Sequence, residues 1–209
     1  MLLRLWSVER ALFYFSLPFY DQLCCTCELN PRSYKKYNST IYYGSGANRF
    51  HNYSINTIAN EIIRIVEKEG PIHLNQIKKR ITEVFNVRLG LKIEERINQS
   101  VRLAEYKKSI SSLEFFYLSP SATKIYLRHH FNSDDKRAIE EIPNIEIELA
   151  IRYILENCLS ISENDLISET ARLFGHRATN SVKYYIETIL RHLIKNEKVS
   201  SSNGRVKLA

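Results

Sequence analysis

The chain has 209 residues, 44% hydrophobic and 25% charged, a balance that excludes an intrinsically disordered protein and leaves room for one ordinary domain or two small ones. Its 6 glycines and 5 prolines exclude collagen-like and linker-like chains, and no uninterrupted apolar run is long enough to span a bilayer. With 30 Lys and Arg against 23 Asp and Glu, the net charge is +7, which permits an anionic partner without establishing one.

Residues 1–54 differ in texture from the rest and are expected to be a poorly ordered or remnant N-terminal segment. Ala11 to Tyr20 is apolar and aromatic but too short to cross a membrane, and no small-residue cleavage site follows it. Cys24, Cys25 and Cys27 crowd together while Cys158 lies far away, which is no disulfide framework and fits a reducing, cytoplasmic compartment. Cys24-x-x-Cys27 lacks a second ligand pair, so no metal site is expected, and it lacks the βαβ surroundings of a redox motif. Asn30 to Arg49 is rich in Tyr, Asn, Ser and Gly without a period and reads as loop, Gly44-Ser45-Gly46 included.

Helical periodicity begins at Ile55. Ile58, Ile62, Ile65 and Val66 lie on one helix face, and Glu69-Gly70-Pro71 ends the helix. After a very short extended segment at Ile72-His73, a second amphipathic helix carries Leu74, Ile77, Ile81, Val84 and Phe85. Asn86 to Gly90 is a turn. A third helix carries Leu91, Ile93, Ile97, Val101 and Ala104 and ends near Tyr106, and two short β-type runs follow around Ile110 and at 114–118. This is the first unit, residues 55–118.

Residues 119–142 read as a linker, broken at Pro120-Ser121 and hinged at Asn132 to Asp135. The element order then recurs 89 residues later, over 143–209. Ile147, Ile151, Ile154 and Leu155 repeat the first helix, and Ser162-x-x-Asp165 has capping-box spacing. Leu166 and Phe174 match Ile77 and Phe85; Val182, Ile186 and Leu190 match Ile93, Ile97 and Val101. Asn203-Gly204 is a tight hairpin turn between strands at Val199 and Val206. The fold class expected is mainly α with short β-hairpins (α+β), as two winged-helix-like units in tandem.

No constellation supports catalysis, so the chain is read as no enzyme and without cofactor. His129-His130 is an adjacent pair whose side chains diverge, and Asp134-Asp135 and Glu140-Glu141 fit solvated turn and helix faces. The third helices are the candidate binding elements. The first has Lys92, Arg96, Asn98, Gln99 and Arg102 on its polar face, preceded by Arg88. The second has Asn180, Lys183, Tyr184 and Arg191, preceded by Arg177, with Arg205 and Lys207 in the following hairpin. The cations suit nucleic-acid phosphates, while Glu94, Glu95, Glu105 and Glu187 interleave with them and oppose such a field.

Residues 57–209 also resemble an uncharacterised domain at the C-terminal end of large bacterial superfamily I helicase-related proteins, in which a Vsr-like endonuclease domain commonly precedes it. The resemblance is carried by Glu69-Gly70-Pro71-Ile72-His73, by Arg137 to Pro143 with Glu146, and by Ala171 to Gly175 with Arg177. Arg4-Leu5-Trp6-Ser7 is similar to the last strand of that nuclease domain. The resemblance implies a truncated piece of a helicase–nuclease polypeptide. No G-x-x-x-x-G-K-[ST] occurs, so helicase catalysis does not come with it. The expected function is a non-catalytic accessory module gripping DNA backbone with little sequence readout. The partners would be DNA and the helicase and nuclease domains of the same system, with no membrane. The alternative is a protein-interaction adaptor docking onto those domains without touching DNA.

Overall fold

A computed structural model describes residues 28–41, 43–44, 46–113, 115–122, 124–129 and 136–209. The apolar run Ala11–Tyr20, the first three cysteines, the Arg4-Leu5-Trp6-Ser7 match, His130 and the Asn132–Asp135 hinge lie outside the described residues. The elements in chain order are β1 (Glu28–Ser33), α1 (Ala47–Asn52), α2 (Ile55–Glu69), β2 (Ile72–His73), α3 (Leu74–Val84), α4 (Leu91–Tyr106), β3 (Ser111–Leu113), β4 (Phe116–Leu118) and β5 (Tyr126–His129). A 3₁₀ turn at Ile139–Glu141 leads to α5 (Asn144–Glu156), β6 (Ile161–Ser162), α6 (Glu163–Leu173), α7 (Asn180–Lys195), β7 (Val199–Ser202) and β8 (Arg205–Leu208). The chain is mainly α with short β-hairpins.

The repeat holds in backbone detail. Shifting β2, α3 and α4 by 89 residues lands on the bounds of β6, α6 and α7. Each unit closes with a three-stranded antiparallel sheet in which the last hairpin strand is central, β2-β4-β3 and β6-β8-β7. The registers agree as well: Ile72 faces Tyr117 and Ile161 faces Val206 at equivalent places. Asn203 and Gly204 both have positive φ, 52° and 70°, the backbone a two-residue type I′ hairpin requires.

Local chemistry sets the helix ends. Ser54 Oγ accepts from Thr57 N at 3.0 Å at the start of α2, and Ser162 Oγ accepts from Asp165 N at 3.1 Å at the start of α6. His73 does the same work for α3, its Nδ1 accepting from Asn75 N at 3.2 Å. Four helices end with one residue in the left-handed region, Asn86 and Gly175 after α3 and α6, Lys108 and Glu197 after α4 and α7. At each, the next amide reaches five residues back: Val87 to Thr82 O, His176 to Ala171 O, Ser109 to Ala104 O and Lys198 to Leu193 O, all at 2.9–3.0 Å.

Among the described residues, the buried apolar side chains form two clusters. One joins α1 to α4, with Phe50, Ile62, Ile77, Phe85 and Ile97 fully enclosed. The other joins α5, α6 and α7, with Ile147, Ile151, Leu166, Ile186 and Leu190. Complete burial of one such side chain contributes about 1.5–3 kcal/mol.

Two expectations about connecting segments are corrected. Part of the N-terminal segment is built into the fold: β1 pairs parallel with β5, Tyr34, Tyr43 and Phe50 are buried, and α1 packs on α4. Its register slips between Glu28 and Arg32, where Pro31 has no amide to give the ladder. Likewise 119–142 is no bare linker, because Ile125, Leu127, Ile139 and Ile142 all enter the second cluster.

Candidate nucleic-acid interface

The third helices α4 and α7 each bury one face. Ile93, Ile97, Ser100, Val101 and Ala104 point inward on α4, and Val182, Ile186, Ile189, Leu190 and Leu193 occupy the same five positions on α7. The opposite faces are therefore also equivalent. On α4 the exposed stripe is Lys92, Glu95, Gln99, Arg102 and Tyr106. On α7 it includes Asn180, Tyr184, Arg191 and Lys195, with Lys183 exposed at its flank.

Two cation pairs coincide under the repeat: Arg88 with Arg177 in the loops entering the helices, and Arg102 with Arg191 on the outer faces. All four are exposed. Arg191 holds Glu187 at 2.5 Å, but both groups face solvent, where such a pair contributes about 0–1 kcal/mol and exchanges readily for another anion. Arg205 and Lys207 are exposed on β8, and Arg205 also donates to Ser160 Oγ and O at 2.9 and 2.8 Å.

Arg96 is placed differently. It is half-buried, one guanidinium nitrogen donates to the Tyr53 carbonyl, and its Nε is enclosed without a hydrogen-bond partner. It fastens the start of α2 to α4 and is directed away from the outer face. Its neighbours show why the sequence was ambiguous: positions 96 and 97 share a boundary between polar and apolar faces. Of the interleaved acids on α4, Glu94 is offset by Lys78 of α3 at 2.7 Å, Glu105 accepts from the neutral Ser112 hydroxyl, and Glu95 stands on the outer stripe.

A family model described as "Protein of unknown function (DUF3320)" matches residues 48–95. That stretch runs from within α1 to the first turn of α4. No curated protein matches the chain. Among the described residues, no three His, Cys, Asp or Glu side chains gather to hold a metal, and no helix is long and apolar enough to cross a membrane.

A buried charge network joins the two units. Glu69, at the end of α2, accepts from Arg80 Nε at 2.7 Å, from the Tyr37 amide at 2.7 Å and from the Tyr34 hydroxyl. Burial works against the Arg80 charge, but Glu69 outweighs it and holds the guanidinium above its ordinary range. Arg128 of β5 crosses between units: it donates to the Glu69 and Pro71 carbonyls on one side and to the Glu146 carboxylate of α5 on the other. Arg137 grips the same carboxylate with two nitrogens at 3.1 and 2.9 Å. The Tyr34 ring lies under both guanidiniums, 5.5 Å from Arg128 and 4.8 Å from Arg137. Burial pushes Arg128 down to about 10 and, with Arg128 beside it, Arg137 down to about 9, so both stay cationic at neutral pH.

The sequence carries a signal for Glu69, and for Glu61 on the same helix face, which accepts from Tyr37, Tyr43 and Arg64. Glu61 and Glu69 fall on the apolar face of α2, in step with Ile58, Ile62, Ile65 and Val66, where a charge must be matched to be tolerated. Their equivalents in the second unit are Ala150 and Cys158, so the network belongs to the first unit and the junction.

Proposed function

We propose that the chain is a non-catalytic tandem winged-helix module that grips nucleic-acid backbone, an accessory to a helicase–nuclease system. The observation that carries this reading is the coincidence of two exposed cation pairs under the repeat, Arg88 with Arg177 in the loops entering the third helices and Arg102 with Arg191 on their outer faces. In a winged helix the third helix enters the DNA groove and the hairpin touches backbone. Four guanidiniums with fork-shaped donors suit phosphate oxygens. Arg205 and Lys207 add charge on the second hairpin, whereas Phe115 sits exposed at the first. Lys92 lies on the α4 stripe and Lys183 flanks that of α7.

The test is a salt titration of duplex and forked DNA binding. Four phosphate contacts give a log K against log salt slope of about −3.6 on duplex DNA. No binding even at about 50 mM salt ends the reading.

A second reading has its own observation. Leu91 and Tyr106, at the two ends of the α4 stripe, are each 86% exposed. Apolar anchors beside cations suit a protein surface, and docking onto helicase or nuclease domains without DNA would use them. Co-purification with those domains through moderate salt, lost in Leu91→Asp, supports that alternative.

A further inference from the structure

His73 stands where the second unit has Ser162, 89 residues on, and each side chain caps the helix that follows it. In both units the first helical amide bonds back to the hairpin tip, Leu74 N to Phe115 O at 2.8 Å and Glu163 N to Gly204 O at 3.1 Å. A further amide of the first turn is served by the cap. The Ser162 hydroxyl that accepts from Asp165 N keeps its acceptor at every ordinary pH. The His73 Nδ1 that accepts from Asn75 N at 3.2 Å does so only while it carries no proton.

A proton arriving at Nδ1 sets one N–H against another, at the helix end where unpaired amides already gather positive charge. The ring is half-buried and hemmed by two aromatic neighbours, its centroid 6.0 Å from that of Phe115 and 5.2 Å from that of Phe116. Burial is the largest influence on the imidazole and pushes it below its ordinary range. Among the described residues, Glu141 and Glu140 of the 3₁₀ turn pull the other way, and Lys78, one turn along α3 and paired with Glu94, adds to the effect of burial. The neutral, capping ring is therefore the form that folding favours.

The turn capped by His73 also reaches the second unit. Gln76, the third residue of α3, is buried and donates from Nε2 to the Glu141 carboxylate. We infer that His73 is a pH-sensitive catch on α3, with no titrating counterpart at Ser162: protonation removes the cap and loosens the turn that carries Gln76 across the junction. This does not depend on what the third helices bind. The stabilisation is complete above about pH 6.5, the ordinary imidazole value, and is lost as pH falls below it.

The test follows the backbone amides and the His73 ring of the full chain by nuclear magnetic resonance from pH 7.5 to 5, beside urea unfolding of wild type and His73→Ser, which copies the cap of the second unit. The Asn75 amide should shift with the same midpoint as the His73 ring while the Asp165 amide stays still. The unfolding constant of wild type should rise by about threefold or more over that range relative to His73→Ser. An Asn75 amide that does not follow the ring overturns the inference on wild type alone, as does a ring that stays neutral down to pH 5. A folded His73→Ser chain that loses as much stability as wild type overturns it as well.

Discussion

Glu146 has no exposure to solvent and two guanidiniums in contact with it, so its carboxylate is the counter-charge on which two buried cations depend. Removing one partner of such a set strands the others in low dielectric, at about 3–5 kcal/mol. Glu146→Gln should lower the unfolding free energy by that amount in a urea titration, while Arg191→Ala, losing only a surface pair, should stay within about 0.5 kcal/mol. Tyr34 adds a pH dependence. Burial first, then the nearby Glu69 charge, pushes its hydroxyl up to about 12. The protonated phenol is thus favoured by folding, and its contribution is complete below about pH 10 and lost as pH rises toward 12. Unfolding free energy measured between those values should fall less steeply in Tyr34→Phe than in wild type. These residues were half legible. Glu69 and the Arg137…Glu146 stretch are among the residues that carry the helicase-associated resemblance, but pairing them across the junction needs β5, whose only sequence mark is a brief extended run.

Among the secondary-structure elements, the helices were readable because their apolar residues repeat at helical spacing, and their ends because Gly70-Pro71 and Ser162 act locally. The left-handed ends were legible only at Gly175. Asn86, Lys108 and Glu197 hold the same conformation, and the last two are residue types that pay a steric penalty there. Replacing Lys108 or Glu197 by glycine should therefore stabilise the chain, by about 0.5–1 kcal/mol each, read as a raised denaturation midpoint. A drop in stability at both sites would mean that the side chains contribute more than the strain removes. β1 was missed for a physical reason: Asn30 and Pro31 break strand alternation, and the strand exists by pairing with β5, nearly a hundred residues away in sequence.

On the scale of the whole molecule, the internal repeat was legible because each copy buries its own cluster, and the structure extends it to strand register and helix ends. The join between the copies was not legible, since it is made of side chains that only a folded chain brings together: Tyr34, Glu69, Arg128, Arg137 and Glu146. The candidate interface shows the same division. Arg102 and Arg191 were visible as cations on polar helix faces, with Arg88 and Arg177 just before the helices, whereas Arg96 needed the Tyr53 carbonyl to be seen as a fastening. The central claim is that the two third helices work as a pair on one polyanion. It is tested most directly by the salt-dependent affinity of duplex DNA for wild type, Arg102→Glu, Arg191→Glu and the double variant, with folding followed by circular dichroism. Each single reversal should weaken binding by about tenfold or more and flatten the salt slope by about 0.9, and the double variant should do both further while remaining folded. A folded double variant with wild-type affinity and slope would contradict it.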